Sequence, residues 1–405
     1  MKQFAVILVG LTLIMSVIHA RADSKWSAWL FSSVSNQLVR VYEDSTRETY
    51  PLPLGNSTVV SQIAIAPDES NRVAFCSMDY SSNVETPPQI LQVIDLNNNA
   101  VLMSQAFDGD AGCSVTRDSF SPDGTWLAVG TASEPPNNQW RLVVFDVASG
   151  ETVTELTAES PAILGLMDSM DLSVFSVIPW VELFEESRIV FSLYPYRTDA
   201  PPTSTAFEWF FADNVVNSVT GFGGTSADYL PNTGEIVWVE HDPALPSADP
   251  GGPMPRFNVV KYRDSQGGIK NIYHNAEILP VKTIFINDGQ AVAIQLMTPL
   301  DMSLMPLEPQ VMSWIALDRY GNIMALQEGT TGSTEIMPAR GGYVYFVNRV
   351  LSGTNPVNTY ALEYHTPDGI EVLWEVSDDN AWQVVEYTVD AVDPTQLDPF
   401  QAINS

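Results

Sequence analysis

The chain has 405 residues, with 45% apolar residues and a formal net charge of −31 from 18 Lys+Arg against 49 Asp+Glu. That apolar content builds a full core, which excludes a disordered chain. The shortage of cations excludes nucleic-acid binding, which depends on neutralising phosphates with Lys and Arg, and disfavours anionic membrane surfaces. The acids are scattered singly, so their first meaning is solubility.

The chain opens Met1-Lys2-Gln3, runs apolar from Phe4 to Ile18, and reaches Ala20-Arg21-Ala22 before Asp23. A basic start, a short apolar stretch and an A-x-A exit predict a secretory signal peptide over residues 1–22. The run is short of the roughly 20 apolar residues that cross a bilayer, and no later run approaches that length. The expectation is an exported chain, periplasmic or extracellular, with no membrane insertion after cleavage.

From there a segment recurs: an apolar strand, a tight turn, then a second and more apolar strand. The copies are Ile63-Ala-Ile-Ala-Pro-Asp-Glu with Val73-Ala-Phe-Cys, and Ser119-Phe-Ser-Pro-Asp-Gly with Trp126-Leu-Ala-Val-Gly. Next come Val177-Ile-Pro-Trp with Arg188-Ile-Val-Phe-Ser, and Tyr229-Leu-Pro-Asn-Thr-Gly with Ile236-Val-Trp-Val. The last are Phe285-Ile-Asn-Asp-Gly with Ala291-Val-Ala-Ile, and Ile336-Met-Pro-Ala-Arg-Gly-Gly with Tyr343-Val-Tyr-Phe-Val. Taking Pro67, Pro122, Pro179, Pro231, Asn287 and Pro338 as markers, successive turns lie 51 to 57 residues apart. Two further strands fit between markers, as in Ile90–Leu96 with Ala100–Met103, and Trp140–Val147 with Thr152–Leu156. A period of this length with four short strands per unit predicts an all-β propeller. No stretch sustains a helical period.

Six blades occupy about 59–378. Trp26–Ser32 and Gln37–Tyr42 read as a third and fourth strand, and Trp382–Val389 as a first. Joined, they make a seventh blade shared by both termini, which closes the ring and removes exposed sheet edges. The alternative is six blades with frayed ends. The expected organisation is a single domain over 23–392 and a tail over 393–405.

The Ser-Pro-Asp-Gly turn, clear at Ser121–Gly124 and as Ala66-Pro-Asp-Glu69, resembles the repeats of TolB-type propellers and is similar to WD-like repeats. That resemblance implies an exported scaffold that binds a protein or peptide. In the turn itself Pro presets φ and Gly accepts positive φ, which is structural chemistry. The Asp-box of sialidases spaces its Asp, Gly and Trp differently from Asp123, Gly124 and Trp126, so that reading fails.

Within a four-stranded blade, the loops between second and third strands share one face with the connections between blades. Here those loops are long: 79–88, 131–139, 194–204, 240–255, 297–309 and 349–358. They hold sixteen of the chain's 28 prolines, so this face is the decorated one, where a rigid scaffold carries function. Tyr194, Tyr196, Arg197, His241 and Asp242 are its most recognition-like residues. Cys76 and Cys113 fall toward the same face in adjacent blades, which allows a disulfide in an exported protein. The alternative is a small buried core residue at Cys76.

No catalytic residue is identified. The three histidines beyond the leader, His241, His274 and His365, are far apart and no H-E-x-x-H occurs, so no metal site is expected. No G-x-S-x-G elbow or phosphate-binding Gly loop appears, and no cofactor is implied. Asp108-Gly-Asp110 lacks the later ligands of a calcium loop. Asp168 and Asp171 are a weak candidate pair for glycoside chemistry. Trp126, Trp209, Trp238 and Trp314 read as packing between blades. The leading expectation is a monomeric scaffold for a protein or peptide, without catalysis. The alternatives are a propeller glycoside hydrolase or lyase, whose mark would be acids converging on the central channel, or a structural envelope protein without a specific ligand.

Overall fold

The computed structural model describes residues 26–387, apart from residues 56, 68–69, 82–86, 108–110, 134–138, 168–177, 194–204, 220–223, 231–232, 247–256, 287–288, 299–311, 328–332, 340–341, 352–356, 367–368 and 379. Tyr194, Tyr196, Arg197, the Asp108–Asp110 turn and the Asp168/Asp171 pair therefore lie outside the described residues.

The strands in chain order are β1 (Ser27–Ser32), β2 (Gln37–Tyr42), β3 (Arg47–Pro51), β4 (Thr58–Ile65), β5 (Arg72–Asp79), β6 (Gln89–Asp95) and β7 (Ala100–Ala106). They continue as β8 (Ala111–Ser114), β9 (Trp126–Ser133), β10 (Trp140–Asp146), β11 (Thr152–Thr157), β12 (Pro179–Phe184), β13 (Arg188–Leu193), β14 (Thr205–Phe210) and β15 (Val215–Ser218). Then come β16 (Thr225–Leu230), β17 (Glu235–Glu240), β18 (Val259–Arg263), β19 (Ile269–His274), β20 (Leu279–Ile286), β21 (Ala291–Met297) and β22 (Met312–Asp318). The last are β23 (Ile323–Gln327), β24 (Ser333–Ala339), β25 (Gly342–Leu351), β26 (Val357–Thr366), β27 (Gly369–Ser377) and β28 (Trp382–Tyr387). A short helix, α1 (Pro161–Met167), sits between β11 and β12.

Consecutive strands from β4 to β27 form six antiparallel four-stranded sheets, blades 1 to 6. Blade 7 has the order β28-β1-β2-β3, so the C-terminal strand supplies its inner edge and the N-terminal strands the rest. Trp29↔Glu386 and Leu30↔Val384 carry this closure. The ring is thus seven blades closed by both ends of the chain. One expectation changes: Trp26–Ser32 and Gln37–Tyr42 are the second and third strands of blade 7, and β3 is its fourth. The sequence Arg47-Glu-Thr-Tyr-Pro of β3 is almost wholly exposed, so no apolar alternation announces it.

The burial pattern explains why the repeats read as they do. A blade is sandwiched between two others, so its second strand is buried on both faces and runs continuously apolar. β5, β13 and β21 are buried over nearly their whole length. Outer strands keep one covered face, as β7 and β15 do. The core divides into seven clusters, one at each junction between blades. Trp209, Trp238 and Trp314 are fully buried in them, and Trp26 and Trp29 pack in the closing blade. Blades approach closely enough to demand glycine: a Cβ on Gly130 of β9 would lie 2.0 Å from the carbonyl oxygen of Pro179 in blade 3.

Two turns differ from expectation. Pro179 opens the inner strand of blade 3, and the turn to its second strand is at Glu185–Ser187, where Glu185 N–H donates to Arg188 O. In blade 6 residues 349–351 and 357–358, expected as loop, are strand, with Arg349↔Thr359 and Leu351↔Val357 paired. At Ser121–Gly124 the turn is as expected. Gly124 has φ +64°, and Asp123 accepts from Ser121 Oγ and Thr125 N–H.

Cys76 of β5 and Cys113 of β8 form a disulfide across blades 1 and 2, with Cα atoms 5.8 Å apart. It locks the edge of the ring at the junction where the two strands already pack in one cluster.

Candidate functional site: the central bore

The inner strands line the bore, and each is irregular at the same level. Register shifts fall between Val60 and Gln62, Val181 and Leu183, Thr225 and Asp228, Pro280 and Lys282, and Ser333 and Glu335. In blade 7 the shift falls between Glu386 and Val384. In blade 2, β8 gives way to a turn in which Ser119 N–H donates to Thr116 O, and pairing resumes at Phe120↔Leu127. A bulge adds one residue and re-aims the side chain beside it. The residues placed there are Gln62, Arg117 with Asp118, Glu182, Asp228, Lys282, Glu335 and Glu386.

These side chains meet across the bore. Arg117 Nε lies 3.2 Å from Glu386 Oε1, joining blades 2 and 7 although blade 1 stands between them. Lys282 Nζ lies 2.5 Å from Glu335 Oε1. The Arg117 guanidinium lies over the Tyr387 ring at 4.9 Å, and Lys282 Nζ is 5.6 Å from the same ring centre. The Tyr387 hydroxyl is buried without a hydrogen-bond partner among the described residues. Neighbouring inner strands are also tied: Val115 N–H donates to Gln62 Oε1 at 2.9 Å, Thr116 Oγ1 to Val181 O at 2.7 Å, and Phe285 N–H to Asp228 Oδ2 at 2.5 Å.

Arg117 keeps 43% of its side chain accessible, but the surface it exposes is the wall of the bore, with protein on every side. Solvent reaches these groups while the surrounding chain still desolvates them, and their proton affinities follow. Burial pushes the Asp118 carboxyl up to about 7; Arg117 opposes this, while Glu386, Asp228 and Glu182 add to it. Burial also raises Asp228 and Glu386, against the Phe285 N–H and the Arg117 guanidinium respectively. Glu386 and then Tyr387 hold Arg117 further in its charged form. For Lys282 burial favours the neutral amine, but Tyr387 and Glu335 outweigh it and raise the group. Among the described residues the bore is therefore a compact ionic network of five acids and two cations, one of whose acids titrates near neutrality.

Of the residues expected on the loop face, His241 and Asp242 are described, and both lie just beyond β17. Asp242 serves a turn: its N–H donates to Asn258 Oδ1 and its Oδ1 accepts from Ala244 N–H. Asn258, fully buried, also donates to Asp242 O, Leu245 O and Pro246 O. The start of this loop is thus pinned from beneath. The bore residues were missed at the sequence level. Their signal was a single polar or charged residue three or five positions ahead of a turn marker, as in Gln62 before Pro67, Lys282 before Asn287 and Glu335 before Pro338.

No known family profile matches the chain, and no curated protein matches its sequence. Solved structures resemble it in fold. A study of two prolyl endopeptidases provides one, at 10% identity and TM-score 0.54 over 89% of this chain; the chain spans half of that protein. TolB from Acinetobacter baumannii aligns at 13% identity and TM-score 0.43, over 78% of this chain and 67% of that one. Oligogalacturonate lyase from Vibrio parahaemolyticus aligns at 11% identity and TM-score 0.45, over 79% and 88%. At these identities the likeness is of fold alone. Its own strand pairing shows what the chain is in fold: a seven-bladed β-propeller closed by its N- and C-terminal strands.

Proposed function

We propose that the protein is an extracytoplasmic binding scaffold that holds a protein or peptide partner at the long-loop face and the adjoining mouth of the bore. The bore network carries this reading. Among the described residues five acids stand against two cations, inside a chain of net charge −31; together they focus a negative potential along the axis, and such a field draws in positively charged segments. The partner surface is accordingly basic. The Cys76–Cys113 disulfide fits an oxidising compartment and so supports export.

The test is cross-linking and capture from the native envelope. A reproducible partner is expected, lost at least tenfold when loops 194–204 and 240–255 are shortened and weakened as salt is raised. Capture indifferent to both changes would remove this reading.

A second reading rests on one observation, the Asp118 carboxyl titrating near 7 beside further acids. Acids converging on the channel are what propeller glycoside chemistry requires, and a carboxyl near neutrality suits general acid–base work. Screening acidic and neutral oligosaccharides for turnover decides it. Cleavage abolished by Asp118→Asn would establish the enzyme; no turnover on any of them leaves the scaffold.

A further inference from the structure

A cleft of about 300 Å³ lies at the seam between blades 6 and 7, lined by Glu335, Phe346, Asn348, Trp382, Gln383 and Val384. Trp382 begins β28 and Asn348 lies toward the end of β25. Both positions belong to the end of the ring that carries the long loops. Phe346 and Asn348 are two apart on one strand, so they share the face turned to blade 7. Glu335 pairs with Phe346 in register.

The lining is held in place. The Trp382 indole donates Nε1–H to Asp378 Oδ1 at 3.2 Å and meets Trp374 edge-on at 5.1 Å. Phe346 stacks on Tyr360 with ring centres 6.2 Å apart. Lys282 occupies Glu335 Oε1, leaving the carboxylate's second oxygen. Asn348 Oδ1 is buried and accepts no hydrogen bond from a described residue. The cleft thus combines the edges of two fixed, largely buried aromatics, a carboxylate and an amide acceptor that no described residue satisfies, at the lower end of the size range of small-ligand sites.

We propose that this seam cleft binds an organic cation, a primary ammonium on a short apolar stem. An ammonium carries three donors and no acceptor, which matches the Glu335 and Asn348 oxygens. The two aromatic side chains flank the apolar stem. Anions are opposed by Glu335 and by the charge of the whole chain. The ammonium is either a free amine or a lysine side chain, and only the second source rests on the scaffold reading above.

The test titrates the full chain with n-pentylamine, with 1-pentanol as the neutral match, and with the blocked peptide acetyl-Gly-Lys-Gly-amide, read by calorimetry and tryptophan fluorescence. Pentylamine or the peptide is expected to bind at least tenfold more tightly than pentanol. Asn348→Ala and Trp382→Phe should each weaken that binding at least tenfold, with melting of the free variants showing that both fold. Pentylamine alone binding assigns the site to a small molecule; peptide alone binding assigns it to a partner's lysine. Binding of neither, or affinity equal to that of pentanol, or indifference to both variants, overturns the proposal. Partner capture that persists in such a case leaves the scaffold standing, and cation binding without any captured partner does the reverse.

Discussion

Replacing both Cys76 and Cys113 by alanine is expected to lower stability by about 4 kcal/mol. The residues are 37 apart in sequence, and closing a loop of that length removes about 13 cal/mol/K from the unfolded chain, or about 4 kcal/mol at 25 °C. The bond joins the second strand of blade 1 to the first strand of blade 2, both inside one buried cluster. Its loss therefore loosens a junction of the ring and adds a small packing defect. At about 2.1 cal/mol/K of unfolding entropy per residue, a fold of this size should melt about 5 °C lower. Thermal melting of the double variant against the parent, with and without reductant, measures it. A parent melting point that reductant does not move, matched by the double variant, would mean that the bond contributes nothing.

Asp118→Asn is expected to stabilise the protein at pH 8 and to leave it nearly unchanged at pH 4. The folded carboxyl titrates near 7 against an ordinary value of 3.8, with burial the main cause. A raised acid binds its proton more tightly in the folded state. Its favourable contribution is complete below about pH 4 and is lost as pH rises to about 7. A shift of that size corresponds to about 4 kcal/mol, and solvent in the bore screens it to about 2 kcal/mol. Urea titrations across pH 4 to 8 should show the parent losing stability in that window, while the variant's curve is flatter. Glu386 and Asp228 are raised by the same burial, so some slope remains in the variant. A parent whose stability rises from pH 5 to pH 7 would mean that Asp118 is ionised throughout.

The blade repeat was legible because sandwiching a sheet between two others leaves a local record. Second strands such as Val73–Cys76 and Arg188–Ser192 must be apolar on both faces, and the turns between them need Pro, Asp and Gly for backbone reasons. Closure by the two ends could be read from an unmatched Trp26–Tyr42 at one end and Trp382–Tyr387 at the other. The position of those strands within blade 7 could not. β3 is an exposed outer edge whose residues owe nothing to a core, so its composition resembles a loop. Pro179 misled for the converse reason: a proline opening an inner strand looks like one at a turn, and Glu185–Ser187 turns without Pro or Gly.

The candidate site divides the same way. The sequence by itself determined that a charged residue interrupts several inner strands, since Glu182, Asp228 and Glu386 each sit between two apolar neighbours. Only the tertiary structure decided that these residues form one network, because Arg117 and Glu386 are 269 positions apart and meet only when the ring is closed. The same holds for the cleft at the closing seam, whose walls come from residues 335–348 and 382–384. Apolar periodicity is a local property, set strand by strand through burial. Ion pairs, an unpaired amide and a ring's bore are relations between distant segments, and they exist only once the last strand has taken its place beside the first.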